Sequence, residues 1–140
     1  MAEPASIAFE RRLEWSETDP MGRWHYSAVF KFVEAAETAL HMRLGIAQET
    51  FPRLPRAQLA VDFLAPLHFA EVARIRLSVE EIGRSSLRYA FTVCQGETEL
   101  ARGGMTVVYV DPVTERSAPW PDHLREVLTS AGPVEPVHVR

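Results

Sequence analysis

Cysteine occurs once, at Cys94, so no intramolecular disulfide can form. No uncharged apolar run approaches the roughly 18 residues that a bilayer-spanning helix needs. The first fifteen residues carry Glu3, Glu10, Arg11, Arg12 and Glu14 where a signal peptide would have an apolar core. Basic side chains are outnumbered fifteen to nineteen, a formal net charge of −4, so the basic surface that nucleic-acid binding needs is missing. A small basic pocket for an anionic ligand remains compatible with that balance. His41, His68, His123 and His138 are scattered without metal-ligand spacing, and nothing in the sequence calls for a metal or a cofactor. These deficits set the expectation of a cytoplasmic protein with no membrane or nucleic-acid partner. The 140 residues fit one domain, with a core over about 6–112 and a C-terminal extension over 113–140.

What is present is a change of hydrophobic period along the chain. Ile7, Phe9, Leu13 and Trp15 alternate with polar or small residues, which predicts a half-buried strand. The run Ser16-Glu17-Thr18-Asp19-Pro20-Met21-Gly22 ends it, because Asp, Pro and Gly all favour turns. From Ser27 to about Leu44 the period is helical. Phe32, Val33, Ala35, Ala36, Ala39, Leu40 and Met42 fill a broad apolar arc, and Lys31, Glu34, Glu37, Thr38 and His41 form a polar stripe. So wide an apolar arc predicts a helix wrapped by other elements, with Gly45 as its stop. Residues 46–56, with Pro52 and Pro55, read as a loop, and its Phe51 and Leu54 are candidates to line a pocket.

Period-two patterns then recur at 58–63, 74–80 and 87–94, and a last strand runs over about 99–110. Gly103-Gly104 within it predicts a bulge or close packing. Turn signals at Pro66, Gly83 and Gly96 favour antiparallel neighbours. Pro121 opens a short helix carrying Leu124, Val127 and Leu128, which Gly132-Pro133 ends. One long helix with about five antiparallel strands is an α+β layout.

The segment Glu17 to Ser27 places a carboxylate, Asp19, in a turn just ahead of the long helix. A helix N-terminus offers unpaired N–H groups and a partial positive charge, which can polarise a carbonyl and hold an oxyanion. A carboxylate nearby could activate water or attack the carbonyl itself. Thioesters suit so sparse a site, since a thiol with a pKa of about 8.5 leaves as thiolate without a strong acid. The competing account of Asp19 is a local Asx-turn.

Asp19-Pro20-Met21-Gly22 resembles the active-site segment of the 4-hydroxybenzoyl-CoA thioesterase family. The likeness continues through Phe30, Phe32 and Glu34-Ala35-Ala36, through 61–67 and 79–86, and to Val107-Val108-Tyr109-Val110-Asp111-Pro112. It implies a hot-dog fold, a long central helix wrapped by a curved antiparallel sheet, assembled as a homodimer or homotetramer with sites at subunit interfaces. It implies an acyl-CoA thioesterase that converts an acyl- or aroyl-CoA to the carboxylic acid and free CoA. On this chain the catalytic carboxylate falls on Asp19 and the carbonyl-polarising amide on Tyr26, with Gly22, His25, Ser27 and Glu34 lining the site. The turn Arg84-Ser85-Ser86 falls where relatives meet the CoA phosphates, as Arg's fixed charge and fork geometry suit; a solvated turn is the other account.

The chain departs from relatives in having Arg23 after the glycine, and His25-Tyr26 where others have Tyr-His. His25 therefore reads as site-lining or part of a turn rather than an essential base, and Glu34 reads first as one half of a structural ion pair. Cys94 has no His or Asp near it in sequence and reads as structural. Trp15, Trp24 and Trp120 read as packing or interface residues. Three further activities stay open: hydrolysis of an acyl group on acyl carrier protein, dehydration of an acyl thioester by His25 with Glu34, and acyl-thioester binding without catalysis.

Overall fold

In the computed structural model the described residues are 2–136, so His138 lies outside them. Strand β1 (Glu3–Arg12) leads through a 3-10 turn (Trp15–Glu17) to helix α1 (Ala28–Arg43). The short α2 (Ala47–Thr50) and a 3-10 turn (Phe51–Arg53) follow, then β2 (Arg56–Phe63), β3 (Val72–Ile82), β4 (Ser86–Gln95) and β5 (Thr98–Val108). The chain closes with α3 (Asp122–Ser130) and β6 (Ala131–Val134). The six strands form one sheet in the order β2-β5-β4-β3-β1-β6. Every pairing is antiparallel except that of β1 with β6.

The expected α+β arrangement is what the chain adopts. Alternate residues of β3 and β4 (Ala73, Ile75, Leu77, Val79 and Leu87, Tyr89, Phe91, Val93) are buried. They share one core with Val29, Phe32, Val33, Ala36 and Leu40 of α1, which lies against β1 and β3. Each such large side chain, fully withdrawn from water, contributes roughly 1.5–3 kcal/mol. Gly45, at φ +74°, follows the helix as its expected stop. Among the described residues no helix is long and apolar enough to cross a membrane.

Several details differ from the sequence reading. β1 ends at Arg12 and the 3-10 turn breaks the period, so Trp15 is 70% exposed and meets Phe69 edge to face at 5.2 Å. The polar stripe of α1 is half buried: Glu37 and His41 are covered because residues 46–56 fold back over the C-terminal half of the helix. That segment supplies their partners. Arg56 forks onto Glu37 at 2.5 and 3.1 Å and lies 3.6 Å from Glu34, while Thr50 Oγ1 meets His41 Nδ1 at 2.7 Å. Leu54 belongs to the core rather than to an open pocket, whereas Phe51 stacks on His41 and stays partly exposed.

Both ring nitrogens of His41 are engaged, Nδ1 with Thr50 Oγ1 and Nε2 with the Tyr89 hydroxyl, each at 2.7 Å. Burial, and then the charge of Arg56, lower its pKa to about 4, so the imidazole is neutral at neutral pH.

Gly103-Gly104 is close packing rather than a bulge, since both ladders run through it in register. A Cβ on Gly103 would lie 1.9 Å from the Ala60 carbonyl oxygen. The C-terminal extension contributes the expected helix, α3, which buries Leu124 and Leu128 against the core. It also contributes β6, a sixth strand that the sequence pattern does not announce. β6 covers the β1 edge with four residues, one of them Pro133. At the other edge β2 is exposed along almost its whole length, with Leu59 and Phe63 on it. An uncovered apolar edge is what natural sheets avoid.

Candidate active site

The Asp19 turn is a tight hairpin. The Asp19 amide donates to the Arg23 carbonyl at 2.7 Å and the Gly22 amide to the Asp19 carbonyl at 3.0 Å, with Thr18 and Trp24 bridged behind them. Gly22 sits at φ +77° with nothing within 4 Å of where a Cβ would stand, so backbone conformation alone requires glycine there. The hairpin is moored to the loop before β3 by Trp24 N–H to Leu67 O (2.8 Å) and Phe69 N–H to Gly22 O (3.0 Å). Glu17, which the sequence reading passed over, holds its other side. The Glu17 carbonyl accepts from the His25 amide at 2.8 Å, and its buried carboxylate meets the Arg11 guanidinium at 2.8 Å, off the line of a proper hydrogen bond. Its only local signal is spacing: Glu17 Oε1 accepts from the Glu14 amide three residues earlier, a capping-box contact without the Ser or Thr that usually marks one.

Asp19 makes the Asx-turn, but with one oxygen. Its Oδ1 accepts from the amides of Met21 (2.8 Å) and Arg23 (3.1 Å), and among the described residues Oδ2 has only the Arg23 guanidinium, 3.9 Å away. Two amides thus orient the carboxylate through one oxygen and leave the other without a close partner among those residues.

Ser27 is the N-cap residue of α1, yet its side chain caps nothing. It turns instead to His25 Nδ1 at 2.7 Å, and its amide also donates to that nitrogen at 3.2 Å. An amide can only donate, so Nδ1 carries no proton and the ring proton resides on Nε2. The amide of Tyr26, between these two residues, donates to no acceptor among the described residues. It is therefore a free N–H one residue ahead of the helix N-cap, with the helix dipole behind it. A small cavity of about 270 Å³ lies here, lined by Ser16, Glu17, Thr18, His25, Ser27 and Lys31. A larger groove of about 1080 Å³ runs along β1, β3 and residues 133–136, and none of the expected site residues lines it.

The structure places Asp19, Gly22, His25, Tyr26 and Ser27 on the one hairpin segment ahead of α1, with His25 and Ser27 in contact and Asp19 at its turn, and leaves the others apart. Glu34 is exposed and paired with Arg56, as the ion-pair account has it, and His25 is bonded to Ser27, so no His25–Glu34 pair forms within the chain. Arg84 and Ser85 occupy the turn between β3 and β4, and Ser86 opens β4. That is the opposite end of β3 from Val72, which pairs with Arg12 beside the Asp19 turn. Eleven residues of strand span about 33 Å. Among the described residues no group of three or more His, Cys, Asp or Glu side chains gathers as a metal site would need.

Residues 13–128 match a family described as the thioesterase-like superfamily. Among solved structures, a predicted thioesterase from Bacillus stearothermophilus superposes with a TM-score of 0.80 at 23% identity, covering 88% of this chain and 93% of that one. A hypothetical protein from Thermus thermophilus gives 0.79 at 26% identity, covering 86% and 95%. A second Thermus thermophilus protein, a thioesterase complexed with coenzyme A and Zn, gives 0.75 at 23% identity, covering 85% and 90%. No protein with a curated description matches.

Proposed function

The chain belongs to the thioesterase-like superfamily, and from that premise we propose that it hydrolyses an acyl- or aroyl-CoA to the carboxylic acid and free CoA. What supports this reading is a Tyr26 N–H left free just ahead of α1 and, on the same hairpin, a carboxylate that two amides orient through one oxygen. The thioester carbonyl oxygen accepts from the Tyr26 amide, and charge developing on it is stabilised by that donor and by the helix dipole. Asp19 Oδ2 then acts in one of two ways. It takes a proton from water as the water attacks the carbonyl carbon, or it attacks that carbon itself to give an anhydride that water opens. In both, the C–S bond breaks and the sulfur departs as thiolate. Hydrolysis in ¹⁸O-water under single-turnover conditions separates the two, since only the anhydride route can place the first label in Asp19. Exposed Trp15, Met21 and Phe69 flank the turn and offer the acyl group an apolar surface.

Within the superfamily the reading places the chain beside 4-hydroxybenzoyl-CoA thioesterases, on the Asp19-to-Ser27 segment, and gives it a cytoplasmic location. It gives Arg84, with Ser85 and Ser86, the CoA phosphates. The Asp19 and Arg84 ends of the sheet lie too far apart to serve one substrate within a chain. Antiparallel pairing of two β2 edges about a twofold axis resolves this, because Arg56 at the Arg84 end of one protomer then adjoins Phe63 at the Asp19 end of its partner. The reading therefore requires a homodimer or a higher symmetric assembly, with Asp19 and the phosphate turn of each site on different protomers. The test is release of free thiol from a panel of short, long and aromatic acyl-CoAs, with the same acyl groups on acyl carrier protein alongside. Absence of thiol release across the panel rejects hydrolysis, and release from the carrier protein alone moves the substrate to that class.

A further inference from the structure

The turn between β3 and β4 and the first residue of β4, residues 83–86, have all four of their carbonyl oxygens engaged by donors from beyond β5. Gly83 O accepts from the Arg125 guanidinium at 2.7 Å, Arg84 O from the Trp120 amide at 3.0 Å, and Ser85 O from the Tyr109 amide at 2.7 Å. Ser86 O accepts from the Trp120 indole N–H at 3.1 Å and from the Gly83 amide at 2.9 Å. The amides of Arg84 and Ser85 donate to nothing among the described residues, and the exposed Arg84 guanidinium forms no ion pair among them. The Ser86 hydroxyl lies 2.5 Å from where a Cβ on Gly83 would stand, so it is folded over the glycine. A turn whose carbonyls are all consumed on one partner presents N–H groups to the other side, and consecutive free amides beside a guanidinium attract anions.

We propose that Trp120 and Arg125 are positioning residues for phosphate recognition: they hold residues 83–86 in the shape that offers the Arg84 and Ser85 amides, with the Arg84 side chain, to a phosphate of the CoA moiety. This rests on the phosphate role given to Arg84 above and extends it to a segment with no part in that reading. Trp120 is itself fixed. It is buried, and it packs on Tyr109 with ring centroids 4.8 Å apart, while Tyr109 supplies the donor to Ser85. The first turn of α3 carries Arg125 to Gly83. The C-terminal extension therefore shapes the phosphate turn as well as closing the core.

The experiment compares Arg84→Ala, Trp120→Phe and Arg125→Ala on an acyl-CoA and on the same acyl group carried by N-acetylcysteamine, a thioester without phosphate. Trp120→Phe keeps a buried aromatic ring and the backbone donor while removing the indole N–H together with part of the ring, so it serves where Arg125→Ala folds poorly. Loss of one such hydrogen bond is expected to raise KM for the acyl-CoA roughly fivefold. kcat and the kinetics on the phosphate-free thioester should stay near wild type, while the thermal midpoint of Trp120→Phe falls by the few degrees that a smaller buried ring costs. If Arg84→Ala raises KM and the other two do not, the positioning role is overturned and the phosphate role of Arg84 stands. If none of the three raises KM, the phosphate role falls and takes this proposal with it. Equal losses on both thioesters from Trp120→Phe and Arg125→Ala would assign these residues to general stability and also overturn it.

Discussion

Replacing Asp19 by asparagine separates a turn former from a reacting group, because the two roles fall on different oxygens. Asparagine is nearly isosteric and its carbonyl can take over the contacts of Oδ1 with the Met21 and Arg23 amides. What the turn loses is the charge on that acceptor, which weakens each bond by about 1 kcal/mol at most. It also loses a pairing with Arg23 at 3.9 Å between partly exposed groups, worth about 0–1 kcal/mol. The expected stability loss is therefore at most about 3 kcal/mol, a fall in thermal midpoint of no more than roughly 10 °C. Catalysis depends on the oxygen that becomes an amide nitrogen, which can neither attack a carbonyl nor accept a proton. kcat should then fall by about 10²–10⁴-fold, or about 3–5 kcal/mol of barrier, while KM moves little. The assay is steady-state thiol release, with oligomer size and thermal midpoint measured on the same samples. A folded Asp19→Asn protein of native size with kcat within about threefold of wild type would refute the mechanism.

Three further outcomes are expected. His41 is neutral in the native state with its pKa lowered to about 4, against 6.5 when unfolded, so its contribution to stability is complete above pH 6.5 and is lost as pH falls toward 4, by roughly 3 kcal/mol. Urea unfolding from pH 4 to 8 should show that slope in wild type and a shallower one in His41→Gln; parallel curves would contradict it. Gly103→Ala would set a methyl 1.9 Å from the Ala60 carbonyl oxygen and 2.9 Å from the Phe91 ring, which should cost about 1–3 kcal/mol in thermal or urea unfolding. An unchanged midpoint would mean that β2 yields freely. Mixing Asp19→Asn with Arg84→Ala protomers under exchange should regenerate sites of wild-type KM, because one hybrid site takes Asp19 from one chain and Arg84 from the other; failure to do so in verified hybrids would argue for sites within single chains.

The parts of the fold legible in the sequence are those where one period governs many residues. Leu87, Tyr89, Phe91 and Val93 face one way because β geometry leaves them no choice, and the wide apolar arc of α1 required a wrapping sheet. The shape of the candidate site's segment was legible where local rules coincide, in a glycine at positive φ, an aspartate that folds its own turn and a helix start. Periodicity misplaces residues whose partners come from afar. Glu37 and His41 look like solvent-facing positions on a helical wheel, and they are buried only because Arg56, Thr50 and Tyr89 arrive to satisfy them. Trp120 and Arg125 carry no spacing signal at all, since their acceptors lie some forty residues earlier in the chain. β6, four residues with glycine and proline among them, has too little pattern to be seen before β1 is there to receive it.

That short strand has a consequence for how far the protein can grow. A sheet with two bare edges is a monomer in the chemical sense of polymerisation, able to add copies on either side without end. Here four residues with a proline block one side, and the other side is the same in every copy. If two molecules pair through β2, the joined sheet ends at each side in that short strand, where a proline and a length of four residues give a third copy little to pair with.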